Sequence, residues 1–198
     1  MIQSRYLIYS KQSWFRSHHS NDHAVLSIID NEQKATEDRE YSCGVFLDFS
    51  KAFDTVNYEI LLTKLEFYGI RGIVKYWFTS NLNNRKQFVS LGNTYSVKET
   101  VCFGVPQGSV LGPLLFLIYI NDFHNCSKVL DFPLFADDAN LFYKHNNIDI
   151  LESNLNYELS RVHSWLCANK LSLNIDKSNF VVFSPSPKKI TYVNYVIY

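Results

Sequence analysis

Leu134-Phe135-Ala136-Asp137-Asp138-Ala139-Asn140-Leu141-Phe142 sets two adjacent acids between two apolar runs. Leu130 to Ala136 and Ala139 to Tyr143 read as strands, and the acids between them mark the tip of a hairpin. Strict alternation would send one acid to each face, and like charges repel. A tight turn instead lets both carboxylates approach one region, where a divalent cation could neutralise them. As a bare dipeptide, Asp-Asp is more often an ordinary solvated turn, since Asp is a common turn residue.

Working outward, Cys43 to Phe49 is a second apolar run, read as a buried strand that ends in a carboxylate at Asp48. Acids at the ends of two different buried strands can meet in space. Two-metal phosphoryl transfer uses such a set, with its ions roughly 3.5–4 Å apart. Magnesium favours a few carboxylates plus substrate phosphates over an all-protein cage. Taken alone, Asp48 reads just as well as a helix cap after a strand.

The other elements follow from periodicity and punctuation. Asn21 or Asp22 starts a helix to about Glu37. Asn57 caps a helix over Tyr58 to Tyr68 that Gly69 stops, and another helix covers Ile73 to Leu82. Lys86 to Leu91 and Thr94 to Phe103 alternate around Gly92-Asn93 as a hairpin. Val105 to Gly108 is a turn before the apolar helix Val110 to Ile120, which is too short to span a bilayer. Ile148, Leu151, Leu155, Val162 and Leu166 mark a long amphipathic helix. Ser172 to Asn174 and Asn179 to Phe183 read as strands. Helices, strands and hairpins in this irregular order predict an α+β fold, an antiparallel sheet covered on one face by helices.

The 198 residues are 46% hydrophobic and 16% aromatic, enough for a real core. Nineteen basic residues balance nineteen acidic ones. That balance counts against a self-sufficient nucleic-acid binder, which usually carries a basic excess. Cys43, Cys102, Cys126 and Cys167 are too scattered for a zinc knuckle or a redox pair, and fit buried thiols in a reducing compartment. No Walker A sequence is present. His19 and His23 have helical spacing without a third metal ligand in view. No signal peptide is read at the start.

Four stretches together resemble the motifs of non-LTR (LINE-type) retrotransposon reverse transcriptases. Leu47-Asp48-Phe49-Ser50-Lys51-Ala52-Phe53-Asp54 is similar to motif A. Gly104-Val105-Pro106-Gln107-Gly108-Ser109 through Pro113 is similar to motif B, and Phe135-Ala136-Asp137-Asp138 to the acidic box of motif C. Trp165-Leu166 with Asn169 through Ser178 resembles motif D. Gln12, Phe15-Arg16 and His19-Ser20 resemble the segment before motif A, so the resemblance runs from about residue 12 to 184. Residues 1–198 would then be a partial reverse transcriptase domain with a C-terminal extension over 185–198.

The resemblance implies a polymerase palm with incomplete fingers and no thumb, and RNA-directed DNA synthesis on an RNA template with a DNA primer and dNTPs. It implies two Mg²⁺ ions, or Mn²⁺ in their place, on Asp48, Asp137 and Asp138, with the Phe49 carbonyl as a further ligand. Phe53 would be the aromatic gate against a ribose 2′-OH. Gln107 and Gly108 would lie beneath the incoming nucleotide, and Lys177 would be a general acid for pyrophosphate. Arg16 is a weaker candidate for template or nucleotide contact. Ser13-Trp14 and Ala139 depart from the family pattern. Fingers motifs expected before Gln12, and the primer grip and thumb expected after Tyr198, are not in the sequence. An inactive transposon remnant and another palm enzyme such as a nucleotidyl cyclase are the alternatives, the second disfavoured by Phe53 and Gln107-Gly108. An intracellular setting, nucleus or cytoplasm, is expected, with no membrane; the sequence is silent on oligomeric state.

Overall fold

Tyr41–Asp48 (β1) forms because it is an apolar run whose neighbours on both sides can complete its ladder. The computed structural model describes residues 8–13, 21–83, 85–106, 108–185 and 195–196. Within it the chain makes two compact units, Met1–Ser50 with Asn121–Tyr198, and Lys51–Ile120. No helix among the described residues is long and apolar enough to cross a membrane.

In the first unit, α1 (Asn21–Glu37) precedes β1. A 3-10 turn (Phe123–Cys126) leads to β6 (Leu134–Phe135) and β7 (Asp138–His145). α5 (Ile148–Ala168) and β8 (Asn179–Phe183) complete it. The sheet order is β6-β7-β1-β8, every neighbour antiparallel. This is the α+β antiparallel sheet that the sequence predicts.

Pairing of β1 with β7 puts Cys43 opposite Tyr143, Val45 opposite Leu141 and Leu47 opposite Ala139. Those residues share one face, and α5 covers it. Asn154 on α5 donates to the Tyr143 hydroxyl at 3.0 Å. Leu151, Leu155, Leu159, Val162 and Leu166 recur along α5 at helical spacing and are all buried. Phe123 joins the layers, with ring contacts to Phe49, Phe132 and Trp165. Each such buried side chain contributes about 1.5–3 kcal/mol relative to exposure. Asn147 caps α5 by accepting from the N–H groups of Asp149 and Ile150.

The second unit holds α2 (Tyr58–Phe67), α3 (Gly72–Leu82) and α4 (Leu111–Ile120). Asn57 caps α2 as expected, accepting from the Ile60 N–H at 3.1 Å, and Gly69 follows with φ +87°. The predicted hairpin forms as four short strands: β2 (Lys86–Gln87), β3 (Ser90–Leu91), β4 (Thr94–Tyr95) and β5 (Glu99–Thr100). β3 pairs with β4 and β2 with β5. At the start of the motif B stretch, Gly104 has φ +84°, and a Cβ there would stand 2.9 Å from both Cα and O of Asp54. Its N–H donates to Val56 O at 2.9 Å and Val105 N–H to Phe53 O at 2.8 Å, tying motif B to the end of motif A.

Four expectations need correction. The cysteines are not all buried thiols: Cys43 is buried and Cys126 partly so, but Cys102 and Cys167 are exposed. The strand before the acids is two residues long, because the chain from Leu130 to Pro133 meets β7 through the isolated bridge between Asp131 and Phe142 and one 3.3 Å hydrogen bond from Asn140 N–H to Pro133 O. The hairpin turn is Ala136-Asp137 rather than Asp137-Asp138, since Phe135 pairs with Asp138 and β7 starts at that acid. Ser172 to Asn174 is a single bridge, Leu173 to Phe49, rather than a strand. Arg16, His19 and the departure at Trp14 lie outside the described residues.

Gly104→Ala is expected to cost about 2–4 kcal/mol, combining left-handed backbone with backbone overlap. Gly92→Ala, at φ +59° with open space around its Cβ, is expected to cost only about 1 kcal/mol. Urea unfolding of both variants checks this, and equal losses would contradict it.

Candidate active site

The ladder that builds the sheet also aims its acids. Asp48 and Asp138 are direct partners in the β1–β7 register, so their side chains leave the same face. The Asp48 N–H donates to Ser178 Oγ at 3.2 Å, and its carbonyl accepts from Asn174 N–H at 2.8 Å. Both backbone groups of Asp48 therefore point away from β7. That makes Asp48 and Asp138 a non-hydrogen-bonded pair, the closer of the two antiparallel spacings, with Cα atoms about 4.5 Å apart.

Around this pair lies a cleft of about 330 Å³ lined by Asp48, Asp138, Phe46, Asn140, Phe135 and Lys177, with Val25 and Ile28 of α1 at its side. Lys177 is exposed and stands in the turn that latches onto Asp48. Ser178 Oγ donates to Asn174 O at 2.9 Å while receiving the Asp48 N–H, so one hydroxyl joins motif D to motif A.

Phe49 makes the next pair, opposite Leu173. Ser50 N–H to Ser172 O and Asn174 N–H to Asp48 O, both 2.8 Å, flank it. The N–H and C=O of Phe49 itself therefore point away from that segment, to the β7 side. Its ring is buried with Phe123.

Asp137 sits in the turn. Ala136 before it has φ +55°, left-handed backbone that costs a non-glycine residue about 1–2 kcal/mol. Gln12 steadies this turn. It lies in a parallel bridge to Leu134, and its Oε1 accepts from Ala136 N–H at 3.3 Å. Gln12 is 2% exposed, so this amide is spent inside the protein. Its position in the upstream motif was legible in the sequence, but its role was not. Ser178 is a second supporting residue whose role nothing in the sequence signals beyond its motif.

Burial in the cleft, then the negative charges of Asp137 and Asp48, push the Asp138 carboxyl above its ordinary range. The three acids thus share one electrostatic neighbourhood. Among the described residues, no three His, Cys, Asp or Glu side chains stand as a ready-made metal cage.

Phe53 is half-buried, its ring 4.8 Å from that of Phe116, and it lines a cavity of about 230 Å³ with Pro106, Gly108 and Pro113. Gly108 has φ +79° and open space where a Cβ would stand. Ser109 Oγ donates to Pro106 O at 2.8 Å and accepts the Gly112 N–H at 2.9 Å, which starts α4. Gln107 lies outside the described residues.

Residues 3–197 match the model of the reverse transcriptase (RNA-dependent DNA polymerase) family. The chain is similar to a probable RNA-directed DNA polymerase from transposon BS of Drosophila melanogaster, 29% identical over 191 residues, covering 90% of this chain and 20% of that protein. It is also similar to the RNA-directed DNA polymerase from mobile element jockey of Drosophila melanogaster, 29% identical over 183 residues, with 87% and 20% covered. The chain thus spans about a fifth of the length of the curated relatives it matches. Among solved structures, telomerase from Candida albicans in complex with a TWJ fragment of telomeric RNA superposes with TM-score 0.64 at 16% identity, over 89% of this chain and 33% of that one. Apo telomerase from Candida tropicalis gives 0.63 at 14%, over 89% and 34%. At such identities the likeness is one of fold, the polymerase palm.

The raised Asp138 carboxyl has a sign that stability measurements can read. The folded state holds that proton more tightly than the unfolded chain does, so the ionised form is disfavoured on folding. The contribution is favourable below the ordinary value of 3.8 and is lost as pH rises through the higher folded value. Asp138→Asn is therefore expected to be more stable than the natural chain at pH 7, with the advantage shrinking as pH falls through the raised folded value and gone below the ordinary value of 3.8. Unfolding midpoints across pH check this, and a difference that does not vary with pH would contradict it.

Proposed function

The chain belongs to the reverse transcriptase family, and from that premise we propose that it carries the nucleotidyl-transfer centre of an RNA-directed DNA polymerase of the non-LTR retrotransposon kind. The observation that carries the reading is the cross-strand pair of Asp48 and Asp138, set in one cleft with Lys177. The substrates are an RNA template, a DNA primer and dNTPs.

The residues fit divalent cations. Two like charges face each other across a ladder, and Asp137 adds a third charge that Asp138 feels. A cation relieves that repulsion. Magnesium takes one or two carboxylates and completes its shell with water and substrate phosphate, so a three-residue cage is not needed. Asp48, Asp137 and Asp138 would hold the ions, with the Phe49 carbonyl as a further oxygen; Mn²⁺ would serve in place of Mg²⁺. When bound, the ions would supply activation of the primer hydroxyl and charge stabilisation on the leaving phosphate.

The chain's own groups do the rest. The β1–β7 ladder fixes the acids before substrate arrives, which is the preorganisation that positioning catalysis depends on. Lys177, exposed in the cleft, carries a proton for the pyrophosphate oxygen that leaves. Phe53 excludes a ribose 2′-OH by occupying its space. Gly108, with open space at its Cβ position, allows backbone to approach a nucleotide closely, next to Gln107. The proposed setting is intracellular, nucleus or cytoplasm, in keeping with four free cysteines.

Two substitutions test this in a primer-extension assay on a primed RNA template with Mg²⁺, made in a reconstructed full-length enzyme that carries this chain. Asp137→Asn is expected to remove extension, by a factor of a hundred or more if electrostatic stabilisation is lost. Wild-type rates in that variant would overturn the metal assignment. Phe53→Val is expected to raise ribonucleotide use relative to dNTP use. An unchanged ratio would show that Phe53 is a packing residue against Phe116 and nothing more.

A further inference from the structure

The hairpin of residues 85–103 is used by none of the chemistry above, and its register gives it two unlike faces. Ser90 pairs with Tyr95, and Val89 N–H donates to Ser96 Oγ while Ser96 N–H donates to Val89 O. Gln87 pairs with Glu99 and Lys86 with Thr100. Between these pairs Phe88 alone spans the gap that Val97 and Lys98 fill on the other strand. That two-against-one count is a bulge, and it turns Lys98 toward Phe88. Lys98 Nζ stands 5.9 Å from the centroid of the Phe88 ring. By alternation, Lys86, Phe88 and Tyr95 leave the same face, and the bulge brings Lys98 to it.

This face is exposed. Phe88 is 49% and Tyr95 65% accessible. Their rings sit 5.8 Å apart, tilted by 59° rather than stacked flat, so each keeps open π surface. No acid partner pairs with Lys86 or Lys98 among the described residues, and Glu99 belongs to the opposite face. The chain as a whole carries no net charge, 19 basic against 19 acidic residues. On this face two lysines stand beside two exposed rings, a local positive charge in a chain that is neutral overall.

We propose that the face carrying Lys86, Phe88, Tyr95 and Lys98 binds a single strand of nucleic acid, with bases stacking on the two rings and phosphates meeting the two lysines. Aromatic platforms bordered by cations are the general chemistry of single-strand binding, tolerant of sequence because every base has a π face. A duplex hides its bases and offers no such surface. The proposal rests on the nucleic-acid reading of the preceding subsection. Binding at the hairpin needs neither metal nor dNTP, so it is measured apart from the reaction.

The test uses the 198-residue chain, fluorescein-labelled 12-mers of oligo(rU) and oligo(dT), and a 12-base-pair duplex, all in EDTA across a range of salt. Both single strands are expected to bind better than the duplex. Lys86→Gln with Lys98→Gln is expected to flatten the slope of log affinity against log salt by about 1.4, at roughly 0.7 per lost phosphate contact on a single strand. Tyr95→Leu, which keeps apolar bulk across from Ser90 but removes the π face, is expected to weaken binding about tenfold. Circular dichroism unchanged in the lysine variant keeps that arm decisive if Tyr95→Leu disturbs the fold. An unaltered salt slope in the lysine variant overturns the proposal. So does a preference for duplex. If instead the substitutions abolish concentration-dependent self-association and leave strand binding unchanged, the face is a protein contact and the proposal fails.

Discussion

The register of β1 against β7 is the constraint on which the first unit depends. Side chains in a strand alternate with a period of two, so a slip of one residue would carry Asp48 to the α5 face and Leu47 into the cleft. The register is held by the apolar partner set on the covered face, where Val45, Leu47, Ala139 and Leu141 are each no more than 3% exposed. Burying the wrong set would place the Asp48 carboxylate under α5. The hydrophobic face thus specifies where the acids go, although it makes no chemistry itself.

That placement works against stability. Like charges directly opposite in a ladder are destabilising, and burial adds to the effect at Asp138. The structure around the pair is correspondingly braced. Ser178 and Asn174 hold both backbone groups of Asp48. Gln12 holds the N–H of Ala136, a residue with left-handed backbone in the turn that presents Asp137. Sites that carry local strain or repulsion persist where the surroundings over-determine them. Here two stretches far apart in sequence, around Gln12 and from Asn174 to Ser178, converge on two acidic strand ends, which is how a short motif can specify a site that no single segment could hold.

Much of this was legible in the sequence because its signals were local. Asn57 and Gly69 bracket α2, the apolar period of α5 matches its buried stripe, and Gly92-Asn93 marks a hairpin that forms. The apolar run before Asp48 and the acids at Asp137-Asp138 identified two strand ends and, through the family motifs, one site. What was not legible depended on tertiary pairing. The turn moved one residue, to Ala136-Asp137, because register is set by cross-strand packing rather than by which residue favours turns. Ser172 to Asn174 had the composition of a strand but found one bridge, since the chain there turns back to cap β1. The pairing of Asp48 with Asp138, and the work of Gln12 and Ser178, come from contacts 90, 124 and 130 residues apart in sequence. No local pattern encodes them.

The central claim is that strand pairing alone brings the acids of motifs A and C together as a cation site. It is tested most directly by titrating substoichiometric Mn²⁺ into the ¹⁵N-labelled chain and following paramagnetic broadening of amide signals. Broadening is expected first at Leu47, Asp48 and Phe49 together with Asp137, Asp138 and Ala139, the two ends of one ladder rung. Broadening that begins elsewhere, or that touches only one of the two strand ends, would contradict the claim.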